Sequence, residues 1–81
     1  MNVREHTMSR ISALFASVVG MTPTRGEATL PQDVSGWDSL AHIRFVYAIE
    51  REFGCELPEE FLVAGKPLGE FAAAVLGAQG A

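Results

Sequence analysis

The segment from Asp38 to Phe53 constrains the fold of this 81-residue chain more than any other. When it is plotted on a helix, its apolar side chains cover more than half of the circumference. These side chains are Leu40, Ile43, Phe45, Val46, Tyr47, Ile49 and Phe53. A helix that is apolar over so wide an arc is packed on several sides. We therefore predict a central helix over residues 38–53, with Asp38 as its N-cap and Gly54 at its end.

The flanking segments predict three further helices. Apolar residues at steps of three and four indicate a first helix over residues 4–19. A proline followed by two glutamates indicates a short third helix over residues 59–64, closed by a glycine. A second amphipathic stripe indicates a fourth helix over residues 67–76, which Gly77 is expected to end. No run alternates with the period of a strand, so the expected fold is an all-α four-helix bundle.

Residues 20–37 form a long first loop in this scheme. The loop contains three glycines and two prolines and has no sustained period. A connection of this length in a compact domain is expected to be held in place or to be functional. Leu30, Val34 and Trp37 are the side chains expected to hold it, with the Trp37 ring covering the start of the second helix.

Charge and composition restrict the classes of partner. The net charge is −4, and residues 33–70 hold eight acidic side chains against three basic ones. Such a body repels phosphate backbones, so we expect no nucleic-acid partner and favour a protein partner with a basic docking surface. The single cysteine and two distant histidines give no metal-ligand spacing. No signal peptide or membrane span is evident, so we expect a cytoplasmic protein that does not contact membranes.

The stretch GWDSL, residues 36–40, raises the question of what Ser39 does. A catalytic serine needs a base, and His42 lies three residues further along the predicted helix. However, there is no G-x-S-x-G elbow, no preceding strand and no nameable oxyanion hole, so we do not expect an enzyme. The stretch could equally be a plain helix start.

The wider context resembles the acyl carrier protein family, whose members carry 4′-phosphopantetheine. The resemblance covers about residues 4–77 and is strongest in GWDSLAHIRFVYAIEREFGCELPEE. This segment contains a D-S-L motif, an apolar helix ending in E-x-E-F-G and an L-P-E-E turn. The resemblance implies that a phosphopantetheinyl transferase esterifies Ser39 with coenzyme A as donor. It also implies that Asp38 helps to position the motif. A length of 81 residues indicates one domain, so we expect a single carrier domain over residues 1–81.

The local chemistry of the predicted helix start agrees with this implication. Ser39 falls in the first turn of the helix, where free N–H groups and the helix dipole favour an anion such as a phosphodiester. The long loop before it is expected to keep the hydroxyl exposed. We expect Leu40 to be an anchor in the core that orients the serine.

The solvent-facing stripe of the central helix is the expected docking surface for partner enzymes. The docking candidates on this stripe are Ala41, Arg44 and Arg51, and Trp37 and Tyr47 beside it are added to them. Positions matching Ala41, Arg44 and Arg51 are typically acidic in fatty-acid-type carriers, and here one is neutral and two are basic. We therefore expect a dedicated pathway with its own enzymes, although a solvated stripe without selectivity stays open. Tyr47 is assigned evenly to the core and to docking, and Trp37 is more simply a residue that holds the loop.

The remaining expectations concern His42, Cys55 and the core around the cavity. His42 is assigned a structural role at the edge of a cavity, in preference to a contact with a phosphate. Cys55 is expected to be a half-buried free thiol. The core around the cavity is expected to contain Phe15, Phe45, Val46, Ile49, Phe61 and Leu62.

The leading hypothesis is a stand-alone, monomeric carrier of a thioester-bound intermediate. Its partners would be the transferase, an acyl- or aminoacyl-loading enzyme and a downstream synthase or transferase. The pathway would be specialised, of polyketide or nonribosomal type, such as antibiotic biosynthesis. The alternative is a small helical protein–protein interaction domain that never receives a prosthetic group.

Overall fold

The computed structural model describes residues 3–23, 25–62 and 66–80. This part of the chain is all-α and contains no strand. It has three α-helices and three short 3₁₀ turns between them. The α-helices are α1 (Val3–Val19), α2 (Ser39–Phe53) and α3 (Leu68–Gly80), and the 3₁₀ turns are Gly26–Ala28, Pro31–Asp33 and Glu59–Leu62.

The third predicted helix differs from the prediction in type. Residues Glu59–Leu62 form a 3₁₀ turn, which follows Pro58 and begins with the hydrogen bond from the Phe61 N–H to the Pro58 carbonyl at 2.9 Å. Such turns are stable only as short pieces because their hydrogen-bond geometry is poorer than that of an α-helix. Residues 63–64 and the expected stop at Gly65 lie outside the described residues. Within the described chain, the four predicted helices are therefore three α-helices and one 3₁₀ turn.

The first two helices agree with their predicted bounds to within one residue, whereas α3 does not end where it was predicted to end. Helix α2 stops at Gly54, whose φ of 62° is left-handed, and its N–H donates to the Glu50 carbonyl. Gly77, by contrast, is not among the glycines with positive φ, and α3 continues through Gly80. A helical glycine costs only about 1 kcal/mol relative to alanine, so the alanine-rich segment continues past it.

The long loop before α2 is anchored along its length. Val34 and Trp37 are buried and Leu30 is half-buried, as expected. Thr29 is also fully buried, and its carbonyl accepts the Leu68 N–H at 2.9 Å, which joins the loop to the start of α3. The loop is therefore part of the packed structure and fixes the approach of the chain to α2.

A cluster of aromatic rings from the loop and all three helices forms the centre of the core. Phe71 on α3 lies 5.2 Å from Phe45 and 5.0 Å from Phe61, measured between ring centroids. Phe15 on α1 packs edge-on against Trp37 at 4.9 Å. Five of the six predicted core residues are buried: Phe15, Phe45, Val46, Ile49 and Phe61.

Leu62 is the exception, because 43% of it is exposed. The 3₁₀ turn is four residues long, and it turns Phe61 inward and leaves its neighbour at the surface. The prediction that Leu62 belongs to the core is wrong.

Candidate functional site

Ser39 is the first residue of α2 and is exposed to solvent. The preceding residue, Asp38, has extended backbone angles (φ −87°, ψ −176°) and acts as the N-cap. Its carboxylate accepts the N–H of Ala41 at 2.9 Å, and its carbonyl accepts the N–H of His42 at 2.8 Å. The predicted N-cap is confirmed, and it places the serine hydroxyl at the open end of the helix.

The position of Ser39 favours negative charge on its side chain. The first N–H groups of an α-helix have no carbonyl partner within the helix, and the aligned peptide dipoles place partial positive charge there. Asp38 accepts one of these N–H groups with its carboxylate. A phosphate ester on Ser39 would lie beside the remaining ones, which suits an anion.

Leu40 is not the core anchor that the sequence indicated. Its side chain is 57% exposed, and Ile43 and Tyr47 are 40% and 59% exposed. Because these residues follow one another at steps of three and four, they form one row on the outer face of α2. The arc of apolar residues on α2 therefore includes an outward-facing row that begins beside Ser39. The assignment of Tyr47 to the core is wrong, and its assignment to docking stays a prediction.

A buried hydrogen-bonded pair fixes the start of α2 instead. The indole Nε1–H of Trp37 donates to Nδ1 of His42 at 3.0 Å. Because Nδ1 accepts, the other ring nitrogen carries the proton, and Nε2–H donates to the Phe61 carbonyl at 2.6 Å. His42 is 2% exposed and Trp37 is 5% exposed. This pair connects the long loop, α2 and the third 3₁₀ turn.

This pair decides three sequence-based expectations. The structural role of His42 is confirmed, because both ring nitrogens are used within the core and neither is available to a phosphate. For the same reason His42 is not placed to act as a base for Ser39. Trp37 covers the helix start as expected, but its inclusion among the docking residues is wrong because the ring is buried.

The remaining docking candidates lie on the outer side of α2. Arg44 and Arg51 are exposed and Ala41 is half-buried. The structure also shows an open groove of about 590 Å³ beside these residues, which the sequence did not predict. Leu14 of α1 lines the groove together with Arg44, Tyr47, Ala48, Arg51 and Glu52. In the sequence, the only indication of this groove is that Arg44 and Arg51 are seven residues apart, which places both on the same side of α2.

Cys55 is a half-buried free thiol, as expected. Partial burial raises the pKa of the Cys55 thiol, and the nearby Glu50 carboxylate raises it further. The Glu50 side chain is itself held in place, since it accepts the Leu57 N–H at 2.9 Å. Because the folded state favours the neutral thiol, this contribution to stability is complete at lower pH and is lost as the pH rises through the pKa of the folded protein.

In the described part of the chain, no helix combines the length and apolarity needed to span a bilayer.

Comparison with known proteins agrees with the geometry at the start of α2. A family model described as a phosphopantetheine attachment site matches residues 9–75, which include Ser39 and all of α2. No curated protein and no solved structure matches the chain. The family match covers most of the sequence, so the chain belongs to the phosphopantetheine attachment family, the carrier proteins to which 4′-phosphopantetheine is covalently attached.

Proposed function

We propose that the chain carries a biosynthetic intermediate as a thioester on a 4′-phosphopantetheine arm attached to Ser39. The observation that carries this proposal is the exposed Ser39 hydroxyl at the first position of α2, inside the range that the family model matches. When attached, the prosthetic group supplies a thiol that forms the thioester. The chain itself contributes the attachment point and the surface that partner enzymes contact.

The residues around Ser39 fit such a group. The helix start favours the negative charge of a phosphodiester, and Asp38 fixes the local backbone by accepting the Ala41 N–H. The Trp37–His42 pair holds this backbone against the core, so the hydroxyl is displayed from a rigid element. Leu40 is exposed next to the attachment point, where it is available to the arm or to a partner. A phosphopantetheinyl transferase using coenzyme A would therefore find the serine accessible.

Partner enzymes would contact the outer face of α2. The exposed Leu40, Ile43 and Tyr47 form an apolar row that starts at the attachment point. Apolar anchors surrounded by charged side chains are the usual composition of a docking surface. We assign Tyr47, Arg44, Arg51 and Ala41 to this surface, as the sequence predicts.

The pathway is proposed from the charge of the same face. Arg44 and Arg51 stand where fatty-acid-type carriers are typically acidic, and like charges across an interface reject wrong partners. We therefore propose a dedicated pathway of polyketide or nonribosomal type, including antibiotic biosynthesis. In it the chain acts as a monomeric carrier domain in the cytoplasm. A loading enzyme and a downstream synthase or transferase would be its working partners.

Intact mass spectrometry tests the attachment. The purified chain is incubated with coenzyme A, Mg²⁺ and a broad-specificity phosphopantetheinyl transferase. We expect one phosphopantetheine increment on the unmodified chain, none on Ser39→Ala, and one on the matched control Ser35→Ala, whose serine is also exposed. If the folded wild-type chain gains no increment, it is instead a helical interaction domain without a prosthetic group. An increment that persists in Ser39→Ala would contradict the assignment of the site.

A further inference from the structure

The groove between α1 and α2 has an apolar floor and two cationic ends. Arg44 and Arg51 are seven residues apart on α2, so they lie on the same side of the helix about 10 Å apart along its axis. Tyr47 and Ala48 lie between them, and Leu14 of α1 forms the opposite wall. Tyr47 is 59% exposed, so the floor of the groove has no partner within the described chain.

The charges of the groove are not balanced. Its only carboxylate, Glu52, is engaged by Arg10 of α1 at 2.7 Å. Other ion pairs join Arg4 to Glu27, Arg25 to Asp33 and Lys66 to Glu60. Arg44 and Arg51 take part in no ion pair with any described residue, although the chain as a whole is acidic. The groove is therefore a local positive site on a protein of net charge −4.

We propose that this groove binds an acidic, amphipathic helical segment of a partner protein. Two carboxylates of the segment, two helical turns apart, would pair with Arg44 and Arg51. An apolar side chain between them would cover Tyr47, Ala48 and Leu14. The proposal rests on the carrier function. It assigns an acidic partner segment to this groove, whereas the net negative charge of the whole chain favours a partner with a basic surface.

The shape and charge of the groove favour this occupant over a simple anion. A free anion would engage the arginines but leave the apolar floor exposed to water, whereas a helix with a matching period covers both. Charge complementarity of this kind acts mainly on association and on the rejection of wrong partners. A partner with a basic surface would be repelled at this groove.

Peptide titration followed by ¹⁵N NMR of the apo chain tests the proposal. The probe is a helical peptide of about 15 residues with two glutamates seven positions apart and a leucine midway between them. We expect chemical-shift changes centred on Leu14, Tyr47 and Ala48, and binding that weakens as salt is added. A peptide with lysines in place of the glutamates, and one with alanine in place of the leucine, should bind more weakly.

Two double variants separate the groove from the overall charge. Arg44→Gln/Arg51→Gln should weaken binding of the acidic peptide by about fivefold to tenfold, since two exposed ion pairs are lost. Arg4→Gln/Arg25→Gln changes the net charge equally at exposed positions outside the groove and should leave the affinity unchanged. In Arg44→Glu/Arg51→Glu the preference should reverse, so that the lysine peptide binds better than the acidic one.

Several outcomes would overturn the proposal. One is equal binding of the acidic and lysine peptides. Another is binding that Arg44→Gln/Arg51→Gln leaves unchanged, or no binding at all. Concentration-dependent dimerisation with shifts at the same residues would assign the groove to a second copy of the chain. The titration does not use Ser39, so a failed titration with successful phosphopantetheinylation rejects only the docking proposal.

Discussion

At the start of α2, the imidazole of His42 joins three segments of the chain through its two ring nitrogens. It accepts from the Trp37 indole on one side and donates to the Phe61 carbonyl on the other. Both of its partners are buried, so neither can turn to water if the imidazole is removed. Removing a side chain that satisfies two buried groups lowers the free energy of unfolding by more than the two hydrogen bonds themselves contribute. Each group that is left buried without a partner carries its full desolvation penalty.

Substituting His42 with phenylalanine should therefore destabilise the protein strongly. The ring shape is nearly kept, but the Trp37 N–H and the Phe61 carbonyl lose their partners, at a combined cost of about 2–4 kcal/mol. Urea unfolding followed by the fluorescence of Trp37, the only tryptophan, measures this change. His6→Phe is the matched control, since His6 is exposed on α1 and should shift the free energy of unfolding little. A loss below about 1 kcal/mol in His42→Phe would show that the pair is not a structural link.

At the scale of the element, the ends of the helices show which sequence signals decide a boundary. Helix α2 has both an N-cap side chain and a left-handed glycine, and both of its ends were predicted closely. Gly77 was interpreted as the same kind of stop, but it has no positive φ and lies inside α3. A glycine ends a helix where its own backbone adopts the left-handed conformation. The presence of a glycine in the sequence does not by itself show that it does so.

The contrast between Gly54 and Gly77 predicts opposite effects of the same substitution. Gly54→Ala places a Cβ on a residue with φ of 62° and should destabilise the protein by about 1 kcal/mol. Gly77→Ala adds a better helix former at an open position, where the new Cβ would have no atom within 4 Å apart from its chain neighbours and the backbone of its own helix. It should stabilise by about 0.5–1 kcal/mol. Thermal unfolding by circular dichroism measures both. If the two variants shift in the same direction, the difference in backbone conformation is not the cause.

The exposed row on α2 shows why the predicted site was only partly correct. Apolar periodicity predicts a helix face but not what covers it, so Leu40 was assigned to the core although it is 57% exposed. Trp37 was assigned in part to docking, although its ring is buried against Phe15. Ser39 and Asp38 were placed correctly at the helix start because capping is local and depends on neighbouring residues.

At the scale of the whole molecule, long-range pairings organise the fold and could not be predicted from sequence. The Arg10–Glu52 ion pair joins α1 to α2, and the backbone hydrogen bond from Leu68 to Thr29 joins α3 to the loop. Each connects residues about forty positions apart, and no local pattern specifies such a pairing. The groove also depends on long-range packing, because its lining residues come from both α1 and α2.

Phe71 lies where these long-range contacts converge, so its removal should affect the whole molecule. Its ring packs with those of Trp37, His42, Phe45 and Phe61, which belong to the loop, α2 and the third 3₁₀ turn. Phe71→Ala should destabilise by about 3–5 kcal/mol, a large share of the 5–15 kcal/mol typical of a domain. Phe53→Ala, which removes a partly buried ring at the end of α2, should cost about 1–2 kcal/mol.

Urea unfolding measured in parallel by circular dichroism and by Trp37 fluorescence should give coincident transitions in both variants, because the loop and the helices share one core. Two separate transitions in Phe71→Ala would show that the loop unfolds independently of the helices.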